Sequence, residues 1–283
     1  MSLQPATAST GPLEAANPLV VPDRTRLEYF PAYQAVLASR NWPLNLFWGT
    51  LAYFSTGIVP LVGWMVWTGY AYDCVEQLNL SRGKELPDFD ANRFGDYLTR
   101  GVYPFLVQLV IWCTLGACYV LTYIGMIVIA GVIAAVGDEH AAIVLGVSLP
   151  LMGLAMALVV ITPMILLSPL MLRLGLSQDL PVGFRISWWS DFLRRMWLEL
   201  VLSTLFVLAT GFIMTTLGCL LLFIGSYAGW AWVSLANAHL SWQLYELYLA
   251  RGGEPVPLKP RRLMPPPNSP PGMQFLPPTT STM

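Results

Sequence analysis

The chain has 283 residues, 55% of them hydrophobic and only 11% Asp, Glu, Lys or Arg, against about 25% charged in an ordinary soluble domain. Fifteen basic and 16 acidic side chains leave a formal net charge of -1, so there is neither a basic field for nucleic acid nor an acidic tail. This is too little polar surface to cover a water-facing globule; it excludes a cytosolic enzyme, a secreted disulfide scaffold and a disordered chain, and it points to a bilayer.

Residues 1–24 are rich in Pro, Ala, Ser and Thr and read as a disordered tail. They lack the basic start, apolar run and cleavage site of a signal peptide, so the first membrane segment is expected to act as its own insertion signal. Residues 25–42 alternate apolar groups (Leu27, Phe30, Val36, Leu37) with polar ones. They fit an interfacial helix ending at Trp42 and Pro43.

Four long apolar stretches follow, at about 44–72, 101–136, 141–172 and 196–249, where a single span needs about 20 residues. The first, with Gly57, Pro60 and Gly63 at its centre, fits a hairpin over 44–76 bent near Pro60, either crossing twice or dipping in and returning as two half-helices. The middle two, joined by Gly137-Asp-Glu-His140, form a second antiparallel hairpin. Pro150, Pro163 and Pro169 predict local breaks there. The last stretch fits two spans, about 196–216 and 218–249, bent near Thr215, Thr216, Leu217 and Gly218.

All 15 Lys and Arg residues lie outside these stretches, whereas the short 137–140 connection has none and carries Asp138 and Glu139 instead. The positive-inside rule then places all four basic regions and both termini in the cytoplasm and 137–140 outside. About six membrane segments in three hairpins result. A single crossing at 44–72 would give five and leave one group of arginines outside.

Residues 183–197 place Ile186, Trp189, Leu193 and Trp197 at helical spacing, flanked by Trp188, Phe192 and Met196, with Ser187, Ser190, Asp191, Arg194 and Arg195 opposite. This is the pattern of an amphipathic helix lying on the membrane. Residues 253–283 hold ten prolines and read as an extended, disordered tail. The membrane domain is therefore residues 25–252. Cys74, Cys113, Cys118 and Cys219 sit in or beside apolar stretches and give neither a disulfide framework nor a zinc site.

One constellation stands out from the composition: Pro60-Leu-Val-Gly63, Gly69-Tyr70, then Gly83, Leu86-Pro87 and Phe89, and Gly101 opening the next span. It resembles the prokaryotic membrane-protein family catalogued as domain of unknown function 4013, in which a proline-centred hydrophobic hairpin ends in Gly-Tyr and a short basic helix leads to a Gly…Leu-Pro signature. The resemblance covers roughly residues 40–250, with Phe89 where a tryptophan is expected. It implies a polytopic membrane protein and no assigned activity. On physical grounds Gly69 permits close helix approach, Tyr70 and Tyr72 suit the headgroup layer, Leu86-Pro87 would end a helix, and Asp88 and Asp90 suit a turn.

The polar residues at the expected cytoplasmic helix ends have two readings. Asp73, Glu76, Arg100, Arg195, His239, Gln243 and Glu246 would line a polar vestibule, or they simply mark helices emerging from lipid, with Glu246 weakly paired to Arg251. Gly225 and Gly229 form a GxxxG pattern extended by Gly218, suited to close packing within the chain or across a homodimer. Thr114-Leu-Gly116 and Ile124-Gly125 echo Thr216-Leu-Gly218 and Ile224-Gly225, as a duplication would. Walker, dinucleotide, HExxH and GxSxG signatures are absent, and two histidines offer little for a catalytic relay.

The sequence therefore predicts an all-α polytopic membrane protein without enzymatic activity, metal or cofactor. It would work through helix packing, membrane lipids or a protein partner. The alternative is a transporter or lipid-handling component whose mouth is the polar vestibule.

Overall fold

The structure is a computed structural model that describes residues 24–57, 61–83, 86–136, 140–221 and 224–258. Pro60, residues 137–139, the N-terminal residues 1–23 and the tail beyond 258 lie outside the described residues. Those described form helices and no strand. In chain order the helices are α1 (Tyr29–Ala38), α2 (Trp42–Ser55), α3 (Val62–Ser81), α4 (Phe94–Val136), α5 (His140–Ser177), α6 (Leu180–Gly183), α7 (Ile186–Cys219) and α8 (Ile224–Ala250), with a 3-10 turn at Ala91–Arg93 before α4.

Among the described residues three segments are long and apolar enough to cross a membrane, Ala91–Val132, Pro150–Ser177 and Ile186–Cys219. The expected first hairpin is present as α2 and α3, but the 14 residues of α2 reach only about 21 Å, short of the ~30 Å hydrocarbon core. α8 is the central post: α1, α2, α3 and α7 all pack on it, and its Ala231, Ala236, Leu240, Gln243 and Tyr248 are buried.

Close backbone approach holds the first half together. A Cβ on Gly69 would run into the Tyr97 carbonyl, and one on Gly101 into the Met65 carbonyl, so these two glycines form the α3–α4 crossing. Gly63 faces the Ala52 carbonyl of α2 in the same way. The GxxxG glycines act within the chain: Gly218 lies against Gly225 and Ser226, and Gly229 against Met214. They close the α7–α8 hairpin, whose turn falls just after Cys219 rather than at 215–218. The echo of this motif in α4 has no structural counterpart, because nothing lies within 4 Å of a Cβ built on Gly116 or Gly125.

Several local expectations are corrected by packing. Residues 183–197 do not form a separate surface helix. From Ile186 they are the first turns of α7, and Trp188, Phe192, Met196 and Leu200 face the core while Ile186 and Trp197 are 75% and 61% exposed. The buried stripe is thus displaced from the expected one. The three prolines of α5 do not interrupt it. At Pro169, which cannot bond the carbonyl four residues back, Ser168 Oγ donates instead to Ile165 O at 3.1 Å.

α3 ends at Ser81, before Leu86-Pro87 is reached. Gly83, at φ +77°, donates its N–H to Leu78 O at 2.8 Å, the left-handed termination that glycine permits without strain. Beyond α8, residues 253–258, assigned above to the tail, are held on the bundle. Val256 N–H donates to Tyr245 Oη (2.8 Å), Glu254 N–H to Tyr248 Oη (3.1 Å), and Trp188 Nε1 to Glu254 O (2.7 Å).

Candidate functional site: a buried ion cluster and a cavity between two hairpins

The residues expected to share one vestibule fall into three separate constellations. Asp73, Glu76 and Arg100 meet in the first, at 1%, 4% and 5% exposure. The spacing of Asp73 and Glu76 on α3 puts both acids on the face that the glycine crossing presses against α4. Arg100 Nη1 donates to Asp73 Oδ1 at 2.9 Å, Nη2 to Glu76 Oε2, and Nε to the Gly175 carbonyl of α5 at 3.2 Å. Arg93 adds a second guanidinium, forked onto both Asp73 oxygens at 3.2 and 3.1 Å. These bonds tie α3, α4 and α5 together at one end of the bundle.

The second constellation holds the N-terminal segment instead of enclosing an open space. Gln243 Oε1 accepts from Glu28 N–H at 2.8 Å, and its Nε2 donates to Glu28 O at 3.1 Å and lies 3.0 Å from His239 Nδ1. Glu246 pairs with Arg24 at 3.0 Å, and the Arg24 guanidinium stacks on Trp242. Arg251 binds Glu199 instead of Glu246. Arg195 belongs to a third group, paired with Asp191 at 2.8 Å, whose other oxygen accepts from Tyr248 Oη.

The family-like motif is a packing knot. Tyr70, expected to face lipid headgroups, is buried inside the protein, and its hydroxyl donates to Pro87 O at 2.7 Å. Phe89 is buried among Trp48, Tyr70 and Tyr97. Gly83 sits under the Trp242 ring, and Leu86 packs on the core. Asp88 accepts from Asn41 and Asn45, while Asp90 accepts from Asn92 N–H at 2.9 Å and starts the 3-10 turn. Among the described residues no group of acids, His and Cys has the arrangement of a metal site.

Sequence reasoning missed Asn45. Its Oδ1 accepts the buried Phe89 N–H at 2.8 Å and so fixes the loop carrying the Leu-Pro pair. The available signal was an uncompensated amide at the start of an apolar stretch. We predict that Asn45→Leu lowers stability by about 1–3 kcal/mol by leaving that N–H without its acceptor. Thermal unfolding in detergent checks this, and an unchanged midpoint would show the bond to be dispensable.

Between the α4–α5 and α7–α8 hairpins, with Tyr72 of α3 as one wall, lies a cavity of about 200 Å³. Gln108, Ser168, Ser203, Thr204, Asn237 and Ser241 supply its polar lining, beside Trp112, Pro163 and other apolar groups. Gln108 Oε1 is buried there without a hydrogen-bond partner.

A family model described as "Protein of unknown function (DUF4013)" matches residues 53–223, more than half of the chain. No curated protein and no solved structure matches it.

Proposed function

The chain belongs to the DUF4013 family, and on that premise we propose that it is a multi-pass protein of the bacterial inner membrane, without catalytic activity, acting through lipid contact and packing against a membrane partner. The observation that carries this reading is the α4–α5 hairpin. Its Val110, Leu121, Ile127, Leu151, Leu154 and Leu158 point away from the protein, and no Asp, Glu, Lys or Arg occurs in residues 101–136 or 141–172. Such a surface fits hydrocarbon or another apolar helix and not water. The ion clusters hold the helices at the basic end, which the positive-inside rule assigns to the cytoplasm with both termini.

The test is topological. In a chain whose four cysteines are replaced, Asn92→Cys should react with an impermeant maleimide only after cells are permeabilised, whereas Asp138→Cys should react in intact cells. Labelling of Asn92→Cys from outside would overturn the orientation and the six-segment count that depends on it. A second reading, a transporter or lipid-handling component, is favoured by the cavity beside Pro163 rather than by the expected vestibule residues.

A further inference from the structure

We infer that the cavity between the two hairpins binds the head of an uncharged amphiphile bearing a free hydroxyl, a diacylglycerol or a long-chain alcohol. The inference rests on the membrane placement proposed above and adds a ligand class to it.

Depth is the first argument. Gln108 lies eight residues beyond Arg100 on α4, about 12 Å at 1.5 Å per residue, and Ser168 lies seven residues from Gly175 on α5, about 10 Å. Arg100 and Gly175 meet in the ion cluster, so the polar lining forms a layer roughly 10 Å to the apolar side of the charges. With the charges at headgroup level and an interfacial layer about 5–8 Å thick on each side of the hydrocarbon, this polar lining lies at the outer edge of the hydrocarbon, where a deeply seated lipid hydroxyl can reach it.

Charge is the second. No charged side chain is among the described lining residues, so an ion or a phosphate would lose its hydration against walls that cannot replace it. Donor and acceptor count is the third. Gln108 Oε1 is an acceptor with no donor. Ser168 Oγ donates to Ile165 O and Ser203 Oγ to Leu200 O at 3.1 Å, which commits both hydroxyl protons to backbone and leaves their oxygens as acceptors. The unpartnered Gln108 Oε1 calls for a ligand O–H, which the two serine oxygens can also accept. A quinone or an ester, with acceptors only, leaves Gln108 Oε1 unpaired.

The experiment uses the full chain in nanodiscs of phosphatidylglycerol and phosphatidylethanolamine, doped with dioleoylglycerol or with oleyl alcohol, and read by native mass spectrometry. One dioleoylglycerol should be retained per protein in preference to phosphatidylglycerol. Gln108→Leu should reduce retention about tenfold, as loss of one buried hydrogen bond predicts, and Ser203→Phe, which fills the cavity, should abolish it. Retention of the glyceride alone identifies a glyceride site, and retention of both identifies the hydroxyl as the feature recognised. Retention of neither, equal retention of phosphatidylglycerol, or undiminished retention by monodisperse Gln108→Leu overturns the inference. A chain that enters nanodiscs but retains nothing defeats this inference alone, whereas failure to enter them defeats the membrane reading.

Discussion

Arg100→Met should abolish the stable bundle, lowering stability by about 3–5 kcal/mol, the usual consequence of removing one partner from a buried ion pair. From α4 the guanidinium uses three nitrogens on two other elements, Asp73 and Glu76 of α3 and the Gly175 carbonyl of α5, so its removal strips a shared cation from two acids and opens the α4–α5 seam together. Arg100→Lys should fail almost as badly, because a single ammonium cannot reproduce that planar fork. Arg93→Ala, at a side chain 27% exposed, should cost much less. Size-exclusion profiles and thermal midpoints in one detergent would rank the three. A monodisperse Arg100→Met protein with a near-native midpoint would show that the cluster is incidental.

The second large effect comes from a single methyl group. Gly69→Ala places a Cβ inside the Tyr97 carbonyl, and because both surfaces are helix backbone, neither can yield by a rotamer change. The expected cost is about 3 kcal/mol or more, at or above the upper end for overpacked sites. Gly116→Ala on α4, the helix that carries Tyr97, is the internal control. Its Cβ would meet nothing, and replacing a mid-helix glycine should be neutral or favourable by about 0.5–1 kcal/mol. If the two variants unfold at the same temperature, the close crossing of α3 and α4 is not what holds them.

The pattern of what was readable follows from the kind of information each feature carries. Helix positions and the turn regions were legible because apolar run length and Gly and Pro placement are local. The pairing of Gly69 with Gly101, of Tyr70 with Pro87 and of Arg93 with Asp73 was not, since each joins residues on different elements. The amphipathic reading of 183–197 chose the wrong stripe for a related reason. In lipid an outward Trp197 and an inward Trp188 are equally apolar, so hydrophobicity no longer distinguishes core from surface. Asp73, Glu76 and Arg100 were recognised as a group, yet whether they enclosed a space or filled one depended on the glycine crossing that brings α3 against α4. The face of His239, Gln243 and Glu246 was legible as a helical stripe, but nothing in its spacing announced that Arg24 and Glu28 would occupy it.

The central position of α8 also bears on how the chain is made. α1 and α2 are among the first described helices to emerge during synthesis, yet their main packing partner is among the last. The Gly49 notch that receives Trp67 stays open on its other wall until Ala231 arrives, and Glu28 waits for Gln243 across 215 residues of sequence. Contacts of such separation are slow to close, and a partly assembled chain exposes the surfaces they later bury. The amino-terminal helices therefore go without their main packing partner until α8 has been made, and the contacts that α8 supplies are the last to close.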